Sequence, residues 1–260
     1  MYLQVWLPMK WRSAMSVIAL GALIVPPTVA AADPYLAWAA VLERHVNERG
    51  EVDFRGLAAD RGELDAFLAY VARVSPRSAP SLFPGQEAKL AYYLNAYNAL
   101  AMFNVLDSGF PERLGALRRV AFFGAKRFTI GGERLSLYTL ENDVIRPLGE
   151  ERVHFALNCM AVSCPRLPRE PFRPERLDQV LDQKAREFFA ERRNLEVLPE
   201  RRRVRVSSIL KFYRDDFLAK SPALISYINR YVKPPIPQDY DVEFIDYDWA
   251  VNDQHRSRGG

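Results

Sequence analysis

The spacing of apolar side chains divides the chain into elements. Residues 33–50, "DPYLAWAAVLERHVNERG", set Leu36, Ala40, Val41 and the aliphatic part of Arg44 at helical spacing and predict a helix closed by Gly50. "EVDFRGL" alternates Val52 and Phe54 with Glu51, Asp53 and Arg55, the period of a short strand. "ELDAFLAYVARV" predicts a second amphipathic helix, ended at Ser75-Pro76 because the residue before proline is pushed out of the helical region. "GQEAKLAYYLNAYNALAMFNVLDSG" is a longer and more apolar helix with no sizeable polar face. It reads as a central core element in which Tyr92, Leu94, Leu100, Met102 and Phe103 are packed.

"RFTI" and "RLSL" predict a β-hairpin turning at Gly131-Gly132, followed by a helix that starts near Thr139. "RVHFAL" has the composition of a short apolar strand that opens into a loop. "FRPERLDQVLDQKAREFFAER" predicts a helix, and "NLEVLPERRRVRVSS" a hairpin whose turn is Pro199-Glu200-Arg201. "ILKFYRDDFLA" and "PALISYINRYV" supply two more helices, and "VEFIDYDWAVND" a closing extended piece anchored by Tyr247 and Trp249. Together these elements predict an α+β fold, a mainly helical single domain over residues 33–260 with a small antiparallel sheet.

The first 32 residues have a different character. Lys10 and Arg12 precede the apolar run "AMSVIALGALIVPP" and the small-residue stretch "TVAAAD", the order of a secretory signal peptide cleaved just after Ala30, Ala31 or Ala32. The expected location is therefore exported, periplasmic or secreted, with membrane attachment only if the leader stays uncleaved. Removing Met1–Ala32 takes two of the 36 basic residues and none of the 32 acidic ones, leaving a net charge of +2. That balance argues against nucleic acid as a partner, which needs a clear basic footprint. Arg201, Arg202, Arg203 and Arg205 form the one basic run, and the alternation of Arg203 and Arg205 with Val204 and Val206 fits the solvent face of a strand.

Both cysteines and one of the three histidines stand in "VHFALNCMAVSCPRL", residues 153–167. Cys159 and Cys164 are spaced C-x-x-x-x-C, not the C-x-x-C of thioredoxin-like sites or zinc knuckles, and only His154 stands near them as a further ligand, so no metal and no cofactor is expected. Two readings stay open. In one, a thiolate of Cys164 or Cys159 is the nucleophile and His154 its base, with Asn95, Asn98, Glu141 or Asp143 available to hold the imidazole. In the other, the cysteines form a disulfide across a tight turn at Ser163 and Pro165, as an oxidising compartment favours, stabilising the fold by ~2 kcal/mol. Asn95 and Asn98, three apart on one helix face, likewise either tie the helix to a neighbouring loop or serve catalysis. His45 is far in sequence from other candidate ligands and reads as a surface or partly packed residue.

"GEVDFRGL", "KLAYYLNAYNALAMFNVL", "VHFALNCMAVSCPRL", "KFYRDDF" and "YDWAVND", in this order, resemble the domain of unknown function 547 family over residues 37–252. The family's motif residues correspond here to Asn95, Tyr97, Asn98, His154, Cys159, Ser163, Cys164, Pro165, Asp248, Trp249 and Asn252. The resemblance implies a shared fold and a site where "LNAYN" meets "HFALNCMAVSC", and little about activity. The leading expectation is a cysteine-dependent hydrolase or acyl-transfer enzyme acting on a small-molecule or peptide substrate, with Cys164 or Cys159 as nucleophile, His154 as base and Asn95 or Glu141 as orienting group. The alternative is a non-catalytic binding or scaffold domain with a Cys159–Cys164 disulfide.

Overall fold

Helices α1 (Tyr35–His45), α2 (Phe54–Ala59) and α3 (Gly62–Arg73) lead into α4 (Gly85–Asp107), a helix of 23 residues that is buried on nearly every side from Ala88 to Leu106. The computed structural model describes residues 33–256, and the leader expected over Met1–Ala32 lies outside them. Tyr92, Leu94, Leu100 and Met102 are buried as their setting in an apolar helix requires, and Phe103 is half-buried against the hairpin. The buried face of α1 is turned from the expected one: Tyr35, Trp38, Val41, Leu42 and His45 face inward, while Leu36 is 61% exposed. The bulk of Trp38, stacked on Phe67 of α3, sets that face. His45, expected at the surface or partly packed, is buried, and burial lowers its pKa.

α1 ends at His45 and not at Gly50, whose φ of +75° instead serves a turn. A Cβ on Gly50 would stand 2.7 Å from the backbone nitrogen of Leu167, so this turn packs directly on the chain just past the cysteines. The strand expected in "EVDFRGL" is reduced to Val52, which bridges Val46 and Asp253. Asp53 then caps α2 by accepting the Gly56 N–H at 2.9 Å, and this cap draws Phe54 into helix.

After α4, a short helix α5 (Ala116–Arg119) widens into a π-helical stretch, Val120–Ala125. The hairpin of β1 (Phe128–Ile130) and β2 (Glu133–Leu135) turns at Gly131-Gly132 as the sequence predicts. The N–H groups of Gly131 and Gly132 donate to the carbonyls of Val71 and Ala72, satisfying acceptors near the end of α3. The next helix, α6 (Leu137–Thr139), continues into π-helical Leu140–Ile145. Its cap is Ser136, whose hydroxyl accepts the Thr139 N–H, so it starts earlier than the Thr139 expectation.

"RVHFAL" is not a strand. Glu151–Phe155 form a 3₁₀ turn whose backbone entry is fixed by the Glu150 carboxylate accepting the Arg152 N–H. Val153 belongs to the core around α4 and Phe155 to a second core. In a strand Val153 and Phe155, two apart, would share one face, and their packing into different cores is incompatible with that.

The second core is built by α7 (Leu177–Ala190), β3 (Leu195–Leu198), β4 (Arg203–Ser207), α8 (Ile209–Phe212), α9 (Arg214–Leu218), α10 (Leu224–Ile228) and β5 (Asp241–Ile245). β3 and β4 form the expected hairpin, with Val204 and Val206 buried and Arg203 and Arg205 outward, paired with Glu243 and Glu196. β5 joins β4 in parallel, so the fold is mainly helical α+β with an antiparallel hairpin and a mixed three-stranded sheet. No helix among the described residues is long and apolar enough to cross a membrane.

Because α4 has no wet face, truncating Leu94 or Leu100 to alanine should cost about 2–5 kcal/mol in equilibrium denaturation. A loss well under about 1 kcal/mol would mean that the helix is peripheral.

Candidate functional site

The cysteine loop is held to α4 by one side chain. Asn98, buried in the helix, donates from Nδ2 to the Ala156 carbonyl at 3.0 Å and accepts the Asn158 N–H on Oδ1 at 2.8 Å. Asn158 repeats the device one step further: its Oδ1 accepts the Met160 N–H at 2.7 Å and its Nδ2 donates to the Pro165 carbonyl at 2.7 Å. Met160 is thereby held at a φ of +66°, and the loop closes with the Cys164 N–H on the Ala161 carbonyl at 3.0 Å. The segment after β5 lines the other side. The N–H groups of Val162 and Ser163 donate to the carbonyls of Ala250 and Asp248, and the Asn252 N–H donates to the Met160 carbonyl.

This framing turns the two cysteines toward each other. Their sulfurs are 2.9 Å apart; the Cys159 N–H donates to the Cys164 sulfur at 3.1 Å, and the Tyr247 hydroxyl stands 3.2 Å from that sulfur. Both thiols are free and buried. Burial pushes the Cys164 thiol up, but the hydrogen bonds from Cys159, Tyr247 and backbone amides outweigh it and hold Cys164 below an ordinary thiol. Cys159 is driven well above one by its hydrogen bond to Cys164, by burial and by the charge beside it. The Cys159 N–H and the nearer approach of the Tyr247 hydroxyl are what favour a thiolate at Cys164.

His154 lines the same cavity as the two sulfurs, with Tyr97, Phe123, Glu141, Phe212, Tyr213, Tyr247 and Trp249 around it. The cavity is small, about 60 Å³, room for about two waters. His154 Nε2 is 2.8 Å from an Asp216 carboxylate oxygen, and Arg146 grips the same carboxylate with two nitrogens at 2.8 Å each. The hydrogen bond from His154 and those from Arg146, against the cost of burial, hold the Asp216 carboxyl far below the usual range. The ring of His154 lies flat on Tyr213, centroids 3.7 Å apart. With its hydrogen on Nε2 directed to Asp216, the imidazole keeps the lone pair of Nδ1, a buried atom with no hydrogen-bond partner.

The residues expected at the site divide accordingly. Cys159, Cys164, His154 and Glu141 share the cavity wall. Glu141 does not hold the histidine directly: it accepts the Tyr97 hydroxyl at 2.8 Å and the Tyr213 hydroxyl, so it fixes the ring on which His154 lies. Asn95 does not reach His154 at all. Its amide accepts from Trp38 Nε1 and the Phe172 N–H and donates to the carbonyls of Ala91 and Phe172, pinning α1 and a distant loop to α4. The group that orients His154 is Asp216, which sequence reasoning did not single out, although "KFYRDDF" contains it. Tyr247, expected only as a packing anchor, is the other addition. Ser163 and Asn252 bond backbone groups of Asp248 and Gly50, and Asp248 bonds the Ala250 N–H and Arg113. Among the described residues, no group of three or more His, Cys, Asp or Glu side chains is arranged to hold a metal.

Residues 81–189 match the family described as Protein of unknown function, DUF547. The matched segment contains Asn98, Glu141, His154 and both cysteines; Asp216 and Tyr247 lie beyond it. No curated protein and no solved structure matches the chain.

The Asp216 contacts have a pH signature. An Asp216→Asn variant should be less stable than the parent by about 1.5–3 kcal/mol near neutrality, the range for hydrogen bonds to a charged group. A carboxyl depressed in the folded state contributes fully above its unfolded value of about 3.9 and loses that contribution as pH falls below it. Urea denaturation from pH 7 to pH 2 should thus show the gap between parent and variant closing on the acid side of about pH 4. A gap independent of pH would show that the ion pair does not carry the effect.

Proposed function

Through residues 81–189 the chain belongs to the DUF547 family, and on that premise we propose that it is a cysteine-dependent hydrolase or acyl-transfer enzyme with Cys164 as nucleophile and His154 as base. The observation that supports this reading is the set of donors around one sulfur, the Cys159 N–H and the Tyr247 hydroxyl, beside a histidine whose outer nitrogen is engaged by Asp216 and whose other nitrogen is unpartnered. A nucleophilic thiol needs a stabilised thiolate, a base and a group that holds the base, and each has a candidate here.

In the proposed reaction the Cys164 proton passes to His154 Nδ1 through a water in the cavity that both groups line. The sulfur adds to an acyl carbonyl, and as the bond to the leaving group breaks, His154 returns the proton to it. Water, deprotonated by His154, then attacks the thioester, releasing the acid and restoring the thiol. Asp216 acts through His154: it favours the tautomer with the hydrogen on Nε2 and stabilises the imidazolium, and Arg146 keeps that carboxylate ionised and in place. A cavity of about 60 Å³ with an aromatic wall admits a small acyl group, with the leaving group outside. Export of the protein remains part of this reading, since a leader of this composition directs secretion.

The contact between the sulfurs favours a second reading, a structural Cys159–Cys164 disulfide in a non-catalytic binding or scaffold domain. One pair of measurements separates the two. Protein taken from its native compartment is divided, one portion treated with iodoacetamide without reductant and a separate portion with a p-nitrophenyl ester of a short fatty acid, and adducts are located by mass spectrometry. Labelling and acylation of Cys164, slowed about 10²-fold or more by His154→Ala and abolished by Cys164→Ser, are the expected result. Labelling that appears only after reduction, with no acyl adduct before or after it, would overturn the enzyme.

A further inference from the structure

We propose that residues 113–127 form a docking surface for an anionic membrane, independent of the leader and of the cysteine chemistry. Leu117 and Val120 are 87% and 69% exposed, the two most exposed large apolar side chains among the described residues. They stand three positions apart where α5 runs into the π-helical stretch, so they share a side of the helix. From Gly115 to Ala125 the other exposed positions are Gly115, Ala116, Ala121, Gly124, Ala125 and a single charged residue, Arg118. The tip is thus apolar apart from a guanidinium.

It is not spare core turned outward by a loose loop. Phe122 points inward and is buried, its carbonyl accepts from Asn104 Nδ2 at 3.0 Å, and the Leu114 N–H donates to the Trp249 carbonyl at 2.9 Å. The segment is fixed at both ends with Leu117 and Val120 facing water.

Its charge selects the partner. Residues 113–127 carry Arg113, Arg118, Arg119, Lys126 and Arg127 and no acidic residue. Arg113 pairs with Asp248, Lys126 pairs with Asp107, and Arg119 lies 4.6 Å over the Trp249 ring. Arg118 and Arg127 have no ion-pair partner among the described residues. Exposed aliphatic side chains flanked by unpaired cations suit a lipid surface, where the aliphatics enter the headgroup boundary and the cations meet lipid phosphates. A protein partner fits less well: specific interfaces engage about 20–30 residues a side and ask for shape complementarity, whereas this tip is short. The position gives the contact a use, because Phe123 of the same stretch and Trp249 beneath Arg119 both line the cysteine cavity. A docked tip would put that cavity beside the lipid.

The test is co-sedimentation of the full chain with vesicles of phosphatidylcholine with and without phosphatidylglycerol, any contribution of the leader being common to all variants. Binding to the phosphatidylglycerol vesicles should fall with added salt. It should weaken by about tenfold or more in Leu117→Asp/Val120→Asp and again in Arg118→Glu/Arg127→Glu, with circular dichroism and thermal midpoint unchanged. Equal binding by parent and variants would overturn the proposal, as would no binding by the parent, or binding to an acidic polypeptide such as polyglutamate without binding to vesicles. Because the readout is sedimentation, the proposal stands or falls separately from the activity of Cys164.

Discussion

The paired hydrogen bonds between Asn98 and the backbone at Ala156 and Asn158 are the constraint on which the cysteine loop depends. A helix buried on all sides offers no free backbone group to a neighbouring loop, so the connection must come from a side chain with both a donor and an acceptor. Asparagine has both on a short stem. Leaving one of these buried groups unpaired would cost about 1–3 kcal/mol, which makes the register of the loop against α4 specific. With that register set, Asn158 folds the following residues back on themselves, and the Cys159 N–H has one place to point, the Cys164 sulfur.

The other wall of the cavity is ordered by stacking and hydrogen bonds. Glu141 receives hydroxyls from Tyr97 on α4 and Tyr213 between α8 and α9, Tyr213 carries the imidazole of His154 on its face, and Asp216 and Arg146 fix the outer edge of that ring. One polar chain therefore links elements from both cores across the 3₁₀ turn. The imidazole is thereby held on one face and at one edge, the preorganisation that the proposed proton transfer would require.

Much of this was legible in the sequence, and the remainder has physical reasons. The long apolar helix, the Gly-Gly hairpin and the outward arginines of β4 were readable because each rests on a local period or a turn residue. The meeting of "LNAYN" with the cysteine segment was expected from resemblance, and Asn98 carries it. The strand reading of "RVHFAL" failed because Val153 and Phe155 pack into different cores, so apolarity on both sides imitated a buried strand. Asp216 was hidden because it is 62 residues from His154, and of two adjacent aspartates only a break in the helix at Tyr213 decides which faces inward. The parallel pairing of β5 depends on a return through three short helices that carries no local signal.

The strip after β5 ties distant parts of the chain to the cysteine loop. The Val52 N–H bonds the carbonyl of Asn252, Asn252 in turn reaches Gly50 and Met160, and Tyr247 closes on the Cys164 sulfur. These contacts join residues 83 to 202 positions apart, and pairings of that separation are slow to form because the intervening chain must first be ordered. Until the strip after β5 has docked, the two sulfurs lack their tyrosine and one wall of their cavity. The burial of both thiols therefore depends on the docking of this strip, and a molecule in which it is undocked leaves them open to oxidants.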